Sequence, residues 1–222
     1  MRDLIPSLVF EEIHGHLRSA AENAATGWEA NRDEEDSLTG DLGRLLATPR
    51  TVERTVNGQI WRWRITYKKF RGRGDDAFES ESGADGIIQV EATVRDETWF
   101  KGVLFQAKKA TRFKAGEVRK QVELIEKIAP GGSAVLLYDP AGYRAVKGTE
   151  FLHSEEGIVG KPIKRMLPLA SFFDDFLECK NGLRSMYYEA VRERLLVPNL
   201  TGEVRAFPLH LGHRVKIDVV GG

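Results

Sequence analysis

The sequence predicts an α/β fold in which helices and strands alternate along one chain of 222 residues. Two patterns carry that expectation. Apolar residues recur at helical spacing over 7–30, about 34–47 and 114–129, and β-branched and aromatic residues cluster or alternate over 59–69, 85–94, 102–109 and 134–138. Gly and Pro fall between these blocks and punctuate them. A hydrophobic fraction of 41% is enough to build a core.

The first block carries Leu8, Ile13, Leu17, Ala20, Ala21 and Ala24 and stops near Gly27. The second carries Leu38, Leu42, Leu45 and Leu46 and stops before Pro49. Glu35 lies three residues before Leu38 and seven before Leu42, so it heads the buried stripe of that helix. Ile60, Trp61, Trp63, Ile65 and Tyr67 read as a strand. A polar stretch over 71–83 precedes two strands over 85–94 and 102–109, joined near Asp96. The helix over 114–129 turns Val118, Val122, Ile125 and Ala129 to one side and ends at Pro130-Gly131-Gly132. Ala134–Tyr138 reads as a short buried strand, and 143–146 returns after a turn. Leu169, Phe172, Phe173, Phe176 and Leu177 form an amphipathic stripe. A further helix is expected over about 184–195, and Val215, Ile217 and Val219 close the chain as a strand. The expected organisation is a core over 1–147 with N-terminal helices, and a C-terminal helical and strand extension over 148–222 packed on it.

Charge narrows the function. Lys and Arg number 33, as do Asp and Glu, so the net charge is zero. That argues against a strongly basic coat and leaves room for a local basic groove. The single Cys179 rules out a disulfide within the chain and suits a reducing compartment. Arg2, Asp3 and Pro6 interrupt the N-terminus where a signal peptide would be apolar, and no run is long enough to span a membrane. A cytoplasmic protein without membrane contact is expected.

The chemistry comes from the two middle strands. A turn centred near Asp96-Glu97 would pair Asp85 with Lys108 and Val90 with Val103. One face then carries Ile88, Val90, Ala92 and Val94 against Val103, Phe105 and Ala107. The other gathers Asp85, Gln106 and Lys108 at one end. Asp85 offers a hard anionic oxygen, Gln106 a neutral carbonyl oxygen and Ala107 its backbone carbonyl, a set suited to Mg²⁺. Lys108 can orient water and neutralise developing negative charge, as phosphodiester hydrolysis requires.

The order of a helical acid, Gly-Ala-Asp-Gly over 83–86 and Phe-Gln-Ala-Lys-Lys over 105–109 resembles the PD-(D/E)xK, or restriction-endonuclease-like, nuclease superfamily. The resemblance covers roughly residues 30–147 and is nearest the branch with glutamine in the third motif, as in Mrr-type nucleases and nucleases of bacterial antiphage defence. It implies an αβββαβ core with a mixed central sheet. It also implies a site of Asp85, Gln106, Lys108 and Glu35, a Mg²⁺ or Mn²⁺ ion held by Asp85, Gln106, Ala107 and Glu35, and Gln121 positioning water. The departure is Gln106, where the superfamily usually has an acid.

Basic residues bracket this region: Lys68, Lys69, Arg71 and Arg73 on one side, Lys109, Arg112 and Lys114 on the other. They are the expected DNA contacts, unless they are solvated loop and helix charges. The acidic run Asp75, Asp76, Glu79 and Glu81 opposes them. His14, His16, His210, His213 and Cys179 are too scattered for structural zinc. Trp61, Trp63 and Trp99 could stack bases, with core packing as the simpler reading. The resulting expectation is a metal-dependent DNA endonuclease in restriction or antiphage defence. Target choice would come from residues 148–222, a protein partner or a second copy. A non-catalytic binding module and an RNA nuclease are the alternatives.

Overall fold

The computed structural model describes residues 1–31, 33–70, 82–154, 166–199 and 201–222. It is a mixed α/β structure with a mixed central sheet and several helices. The described strands are β1 (Val52–Val56), β2 (Gln59–Lys69), β3 (Gly86–Val94), β4 (Glu97–Lys109), β5 (Ser133–Tyr138), β6 (Arg144–Lys147), β7 (Leu167–Pro168), β8 (Leu183–Arg184), β9 (Tyr187–Glu189), β10 (Arg194–Pro198), β11 (Val204–Pro208) and β12 (His213–Gly221). The described α-helices are α1 (Ser7–Asn23), α2 (Trp28–Asn31), α3 (Glu35–Leu46), α4 (Ala115–Ile128), α5 (Gly148–His153) and α6 (Leu169–Leu177).

The large sheet runs β1-β2-β12-β3-β4-β5-β6-β7, with β8 also paired to β4. Two pairs are parallel, β12 with β3 and β4 with β5. α4 makes the crossover between β4 and β5. Asn57 and Gly58, both at positive φ (53° and 77°), close the β1–β2 hairpin, the backbone that a two-residue Asn-Gly turn favours. β1 was not anticipated, although this dipeptide is its signal.

The last third of the chain supplies the middle of the sheet. β12 lies between β2 and β3, antiparallel to one and parallel to the other. Residues 148–222, expected as an extension on the core, therefore include a strand with partners on both sides.

One face of the sheet packs on α1, α3 and α6. Phe10, Ile13, Leu17, Leu38, Phe172 and Phe173 meet Ile65, Val90, Phe105 and Ile217 there. The amphipathic stripe expected at Leu169, Phe172, Phe173, Phe176 and Leu177 lies on α6 and is core: all five residues are buried. On the other face, Val118 and Val122 of α4 cover Val135 and Leu137. Beside them, Tyr188, Leu195 and Val197 cover Ile87 and Leu104. Those three residues belong to the small sheet β11-β10-β9.

Two expectations are corrected. No helix occupies 184–195. Met186 and Tyr188, then Leu195 and Val197, are buried at period two, as strands require. The helix-forming residues between them make the tip of a hairpin, with Val191 95% exposed and Glu193 at φ 46°. The second correction is the β3–β4 register. Arg95 and Asp96 both adopt positive φ (48° and 69°) and form a two-residue turn. Val90 therefore pairs with Lys101, and Val103 with Ile88. A shift of two residues keeps every side chain on its predicted face, but Asp85 comes opposite Gln106 instead of Lys108.

Because β12 has partners on both sides, Ile217→Ala, at a site with no exposure, should cost about 2–5 kcal/mol. Val220→Ala, 51% exposed on the same strand, should change stability by less than about 0.5 kcal/mol. Urea unfolding of the two variants checks this; equal costs would contradict a central β12.

Candidate active site

Alternate N–H groups of β4 point to alternate neighbours. Leu104 donates to Gly132, on the β5 side. Phe105, Ala107 and Lys109 therefore turn their backbone groups toward β3. The β3 ladder ends at Gly86↔Phe105, and Asp85 makes the last bond, donating its N–H to the Phe105 carbonyl at 2.9 Å. Beyond that point Ala107 and Lys109 need acceptors. Two carboxylates supply them. Asp85 Oδ2 accepts the Ala107 N–H at 2.6 Å, and Glu35 Oε2 accepts the Lys109 N–H at 2.9 Å.

The side chains of the same segment complete the contacts. Gln106 Nε2 donates to Asp85 Oδ2 at 2.8 Å and to the Ala107 carbonyl at 3.3 Å. Lys108 Nζ donates to Glu35 Oε1 at 2.9 Å. Asp85, Gln106, Ala107, Lys108 and Glu35 thus meet at the end of β4. Glu35 opens α3, and both of its oxygens face β4. Gln106 is fully buried, and its Oε1 has no hydrogen-bond partner among the described residues. The same holds for Gln121 Oε1, on α4.

The Gly-Ala-Asp-Gly segment is shaped by its two glycines. Gly83 sits at φ 70°, and a Cβ there would lie 2.2 Å from the Gln121 carbonyl. A Cβ on Gly86 would lie 2.5 Å from the Phe105 ring and 2.6 Å from the His213 carbonyl. Asp85 is therefore pressed between α4, β4 and the start of β12. The N–H groups of Gly212 and His213 both donate to its carbonyl at 3.0 Å.

Several neighbours were not singled out by sequence reasoning. The Tyr138 hydroxyl donates to Thr39 Oγ1 at 3.0 Å, and Thr39 donates to the Glu35 carbonyl at 3.0 Å. Burial pushes the Tyr138 phenol well above its ordinary pKa, and the charges of Asp85 and Glu35 add to that shift. His213 is buried between Tyr67, whose hydroxyl is 2.8 Å from Nδ1, and Asp36, whose Oδ1 is 2.9 Å from Nε2. Burial holds its pKa below the usual histidine range despite Asp36. Neutral His213 then donates from Nε2 to Asp36 and accepts from Tyr67 at Nδ1. Burial, then the Asp36 charge, pushes Tyr67 up to about 12. Burial opposes the charged form of Asp36, but its contacts with Lys69 and His213 outweigh it and lower its pKa. The signal for this group was His213 at the head of an alternating strand.

The expected basic rim divides. Lys68, Arg112 and Lys114 are exposed, and Lys114 pairs with Glu117 at 3.0 Å. Lys69 is exposed and pairs with Asp36. Lys109 is only 3% exposed and donates to the Asp33 carbonyl at 3.0 Å; burial removes it from the surface rim. Arg71, Arg73 and the acidic run over 75–81 lie outside the described residues. Trp61 and Trp63 are buried in the core, and Trp99 is 45% exposed. A cavity of about 620 Å³ lined by Trp61, Arg95, Glu97 and Trp99 lies at the β3–β4 turn, at the opposite end of the hairpin from Asp85. Among the described residues no group of three or more His, Cys, Asp or Glu is arranged to hold a metal, and no helix is long and apolar enough to cross a membrane.

No family model, curated protein or solved structure matches the chain.

Gly83→Ala should cost at least about 1–2 kcal/mol from the left-handed backbone alone, with the clash at Gln121 adding to it. Gly116→Ala, where a Cβ meets open space on α4, should be neutral or stabilising by up to about 1 kcal/mol. Thermal melts of both variants test whether Asp85 rests on this close approach; similar melting temperatures would show that it does not.

Proposed function

We propose that this chain is a metal-dependent endonuclease that hydrolyses phosphodiester bonds in DNA. The observation that carries this reading is the end of β4, where four consecutive residues, Gln106 to Lys109, bind two separate carboxylates. The elements α3, β2, β3, β4, α4 and β5, in that order along the chain, support the resemblance to the PD-(D/E)xK superfamily and its glutamine-bearing branch; β1, between α3 and β2, is additional to that set. β12, inserted between β2 and β3, stands outside that order.

The donor set fits a hard divalent cation, Mg²⁺ or Mn²⁺. Asp85 Oδ2 and the Ala107 carbonyl share one amide nitrogen of Gln106, so the two oxygens converge. The buried Gln106 Oε1, without a partner among the described residues, belongs to the same amide. Rotation of that amide exchanges its nitrogen for an oxygen. Asp85, Gln106 and Ala107, with Glu35, would hold the ion. When bound, a divalent ion supplies a polarised phosphoryl oxygen and a more acidic water.

The protein's own groups do the rest. Lys108, steered by Glu35, presents a positive charge to the phosphate oxygens as negative charge develops there. Glu35 keeps that ammonium at the end of β4. Gln121, beside Gly83, offers a buried carbonyl oxygen to orient water. Lys68, Lys69, Arg112 and Lys114 supply phosphate contacts on the rim. Target choice falls to residues 148–222, a protein partner or a second copy. The resemblance suggests bacterial restriction or antiphage defence in the cytoplasm.

A second reading, a non-catalytic module that binds nucleic acid or protein, is favoured by one observation: the neutral Gln106 leaves Asp85 without a second acid opposite it. Plasmid and RNA cleavage with Mg²⁺ or Mn²⁺ separates the readings. The native protein should cut DNA, with EDTA abolishing activity and Asp85→Asn and Lys108→Ala each lowering the rate by roughly 10²-fold or more. Equal rates in all three proteins would remove the site assignment. Absence of cleavage would favour the binding module, and cleavage confined to RNA would make the protein a ribonuclease.

A further inference from the structure

β2 and β12 present a polar face. Alternation along β2 buries Trp61, Trp63 and Ile65 and leaves Arg62, Arg64 and Lys68 exposed on the other side. The register with β12 puts Arg214 opposite Lys68, Lys216 opposite Thr66 and Asp218 opposite Arg64. The Lys68–Arg214 end of this row lies at the end of the sheet where Asp85 sits, since His213 pairs with both Lys69 and Gly86. Arg214 pairs with Ile87, two residues after Asp85. Ile87 shares an apolar cluster with Leu104, two residues before Gln106.

The charges on this face are not evenly matched. Lys216 is engaged by Glu91 at 2.8 Å and Asp218 at 2.5 Å, and Arg62 by Glu53 at 2.8 Å. Arg64, Lys68 and Arg214 have no ion pair among the described residues. Lys68 Nζ and the Arg214 guanidinium stand 5.0 and 5.9 Å from the centre of the Phe70 ring, which holds both without cancelling their charge. Arg214 Nε is buried without a hydrogen-bond partner among the described residues. Like charges directly opposite each other across antiparallel strands are unfavourable. Lys68 facing Arg214 is such a pair, and a polyanion bound across them would reverse its sign.

We infer that this row is a docking surface for the sugar-phosphate backbone of duplex DNA, which it guides toward the Asp85 end of the sheet. The substrate class rests on the proposed nuclease function; the surface rests on the register and the charges. From Arg62 to Lys68 the row extends about 20 Å at ~3.3 Å per residue, a little over half of one duplex turn of ~34 Å. A duplex is favoured over a single strand because β2 turns its tryptophans to the other face, and Phe70, the ring beside this row, is half-buried and engaged by Lys68, Arg214 and Tyr188. Single-strand sites rely on exposed rings on which bases stack, whereas duplex backbone contacts need only cations and hydrogen-bond donors.

The test is fluorescence anisotropy of a labelled 20-base-pair DNA duplex at several salt concentrations, in EDTA and on an Asp85→Asn background. With catalysis disabled and metal removed, failure of the nuclease reading leaves this measurement intact. Arg64→Gln combined with Lys68→Gln should weaken binding about tenfold. It should also flatten the dependence of log K on log salt by roughly 2, at about 0.9 per lost phosphate contact. The charge-reversed pair, Arg64→Glu with Lys68→Glu, should weaken binding further. Lys180→Gln, an exposed change just beyond α6 on the other side of the sheet, is the control, and circular dichroism melts establish that each variant is folded. Affinity and salt slope equal to those of the control would overturn the proposal. So would a loss confined to single-stranded DNA or duplex RNA.

Discussion

The hydrogen bond from the Ala107 N–H to the Asp85 carboxylate is the contact on which the site depends. It exists because β4 outruns β3. A backbone N–H that loses its strand partner in a buried setting is costly unless another acceptor replaces it, and a carboxylate is a strong replacement. Asp85 does this for Ala107 and Glu35 does it for Lys109. The ladder that builds the sheet thus continues for two more bonds as side chains. The spacing of the acids is inherited from the spacing of the N–H groups, with one residue between them. Gln106 and Lys108, whose side chains leave the opposite face of the strand from those of Ala107 and Lys109, reach the same acids from there.

That arrangement makes the site a property of the whole chain. β3 begins at Gly86, which has no room for a Cβ between Phe105 and His213. His213 opens β12, so the last strand in sequence fixes the backbone of Asp85 through Gly212 and His213. The His213 side chain reaches the other way, to Asp36 beside Glu35. One residue thus ties the acid of the hairpin to the turn of helix that carries the other acid. A pairing formed more than a hundred residues after Asp85 is needed before the site is complete, so the site rests on a contact of long sequence separation.

This explains what could be read from the sequence. Asp85, Gln106 and Lys108 were legible because alternation over 85–94 and 102–109 assigns faces without reference to anything distant. The two-residue error in register left those faces intact, since only an odd shift would exchange them. It arose at the turn, where Arg95 and Asp96 adopt positive φ without the glycine that normally announces such a turn. Glu35 was legible as a face of α3, but its engagement with Lys108 depends on where α3 docks. The parallel pairing of β12 with β3 leaves no local trace, and with it went His213, Asp36 and Tyr67. The strands at 187–189 and 194–198 were hidden for a different reason. Glu, Ala and Arg there favour a helix in isolation, and burial of Tyr188, Leu195 and Val197 against Ile87 and Leu104 overrides that preference.

Gln106 then becomes intelligible as part of the same economy of charge. Its side chain is fully buried and within 2.8 Å of the Asp85 carboxylate. A glutamate in its place would put two carboxylates at hydrogen-bond distance inside the protein. Without a cation, one of them would have to take up a proton or move away. The amide avoids that conflict: its nitrogen satisfies Asp85 and the Ala107 carbonyl, and the cost is one buried oxygen without a partner among the described residues. A second acid would bind a cation more strongly but strain the fold whenever the cation is absent. The neutral residue leaves Asp85, Ala107 and β4 in register with no cation needed to balance them. Glu35, already engaged by Lys108 and the Lys109 N–H, adds negative charge nearby while both of its oxygens remain satisfied. Asp85 and Glu35 are therefore each held by donors of β4, and the amide between Asp85 and Ala107 is the group that can change partners.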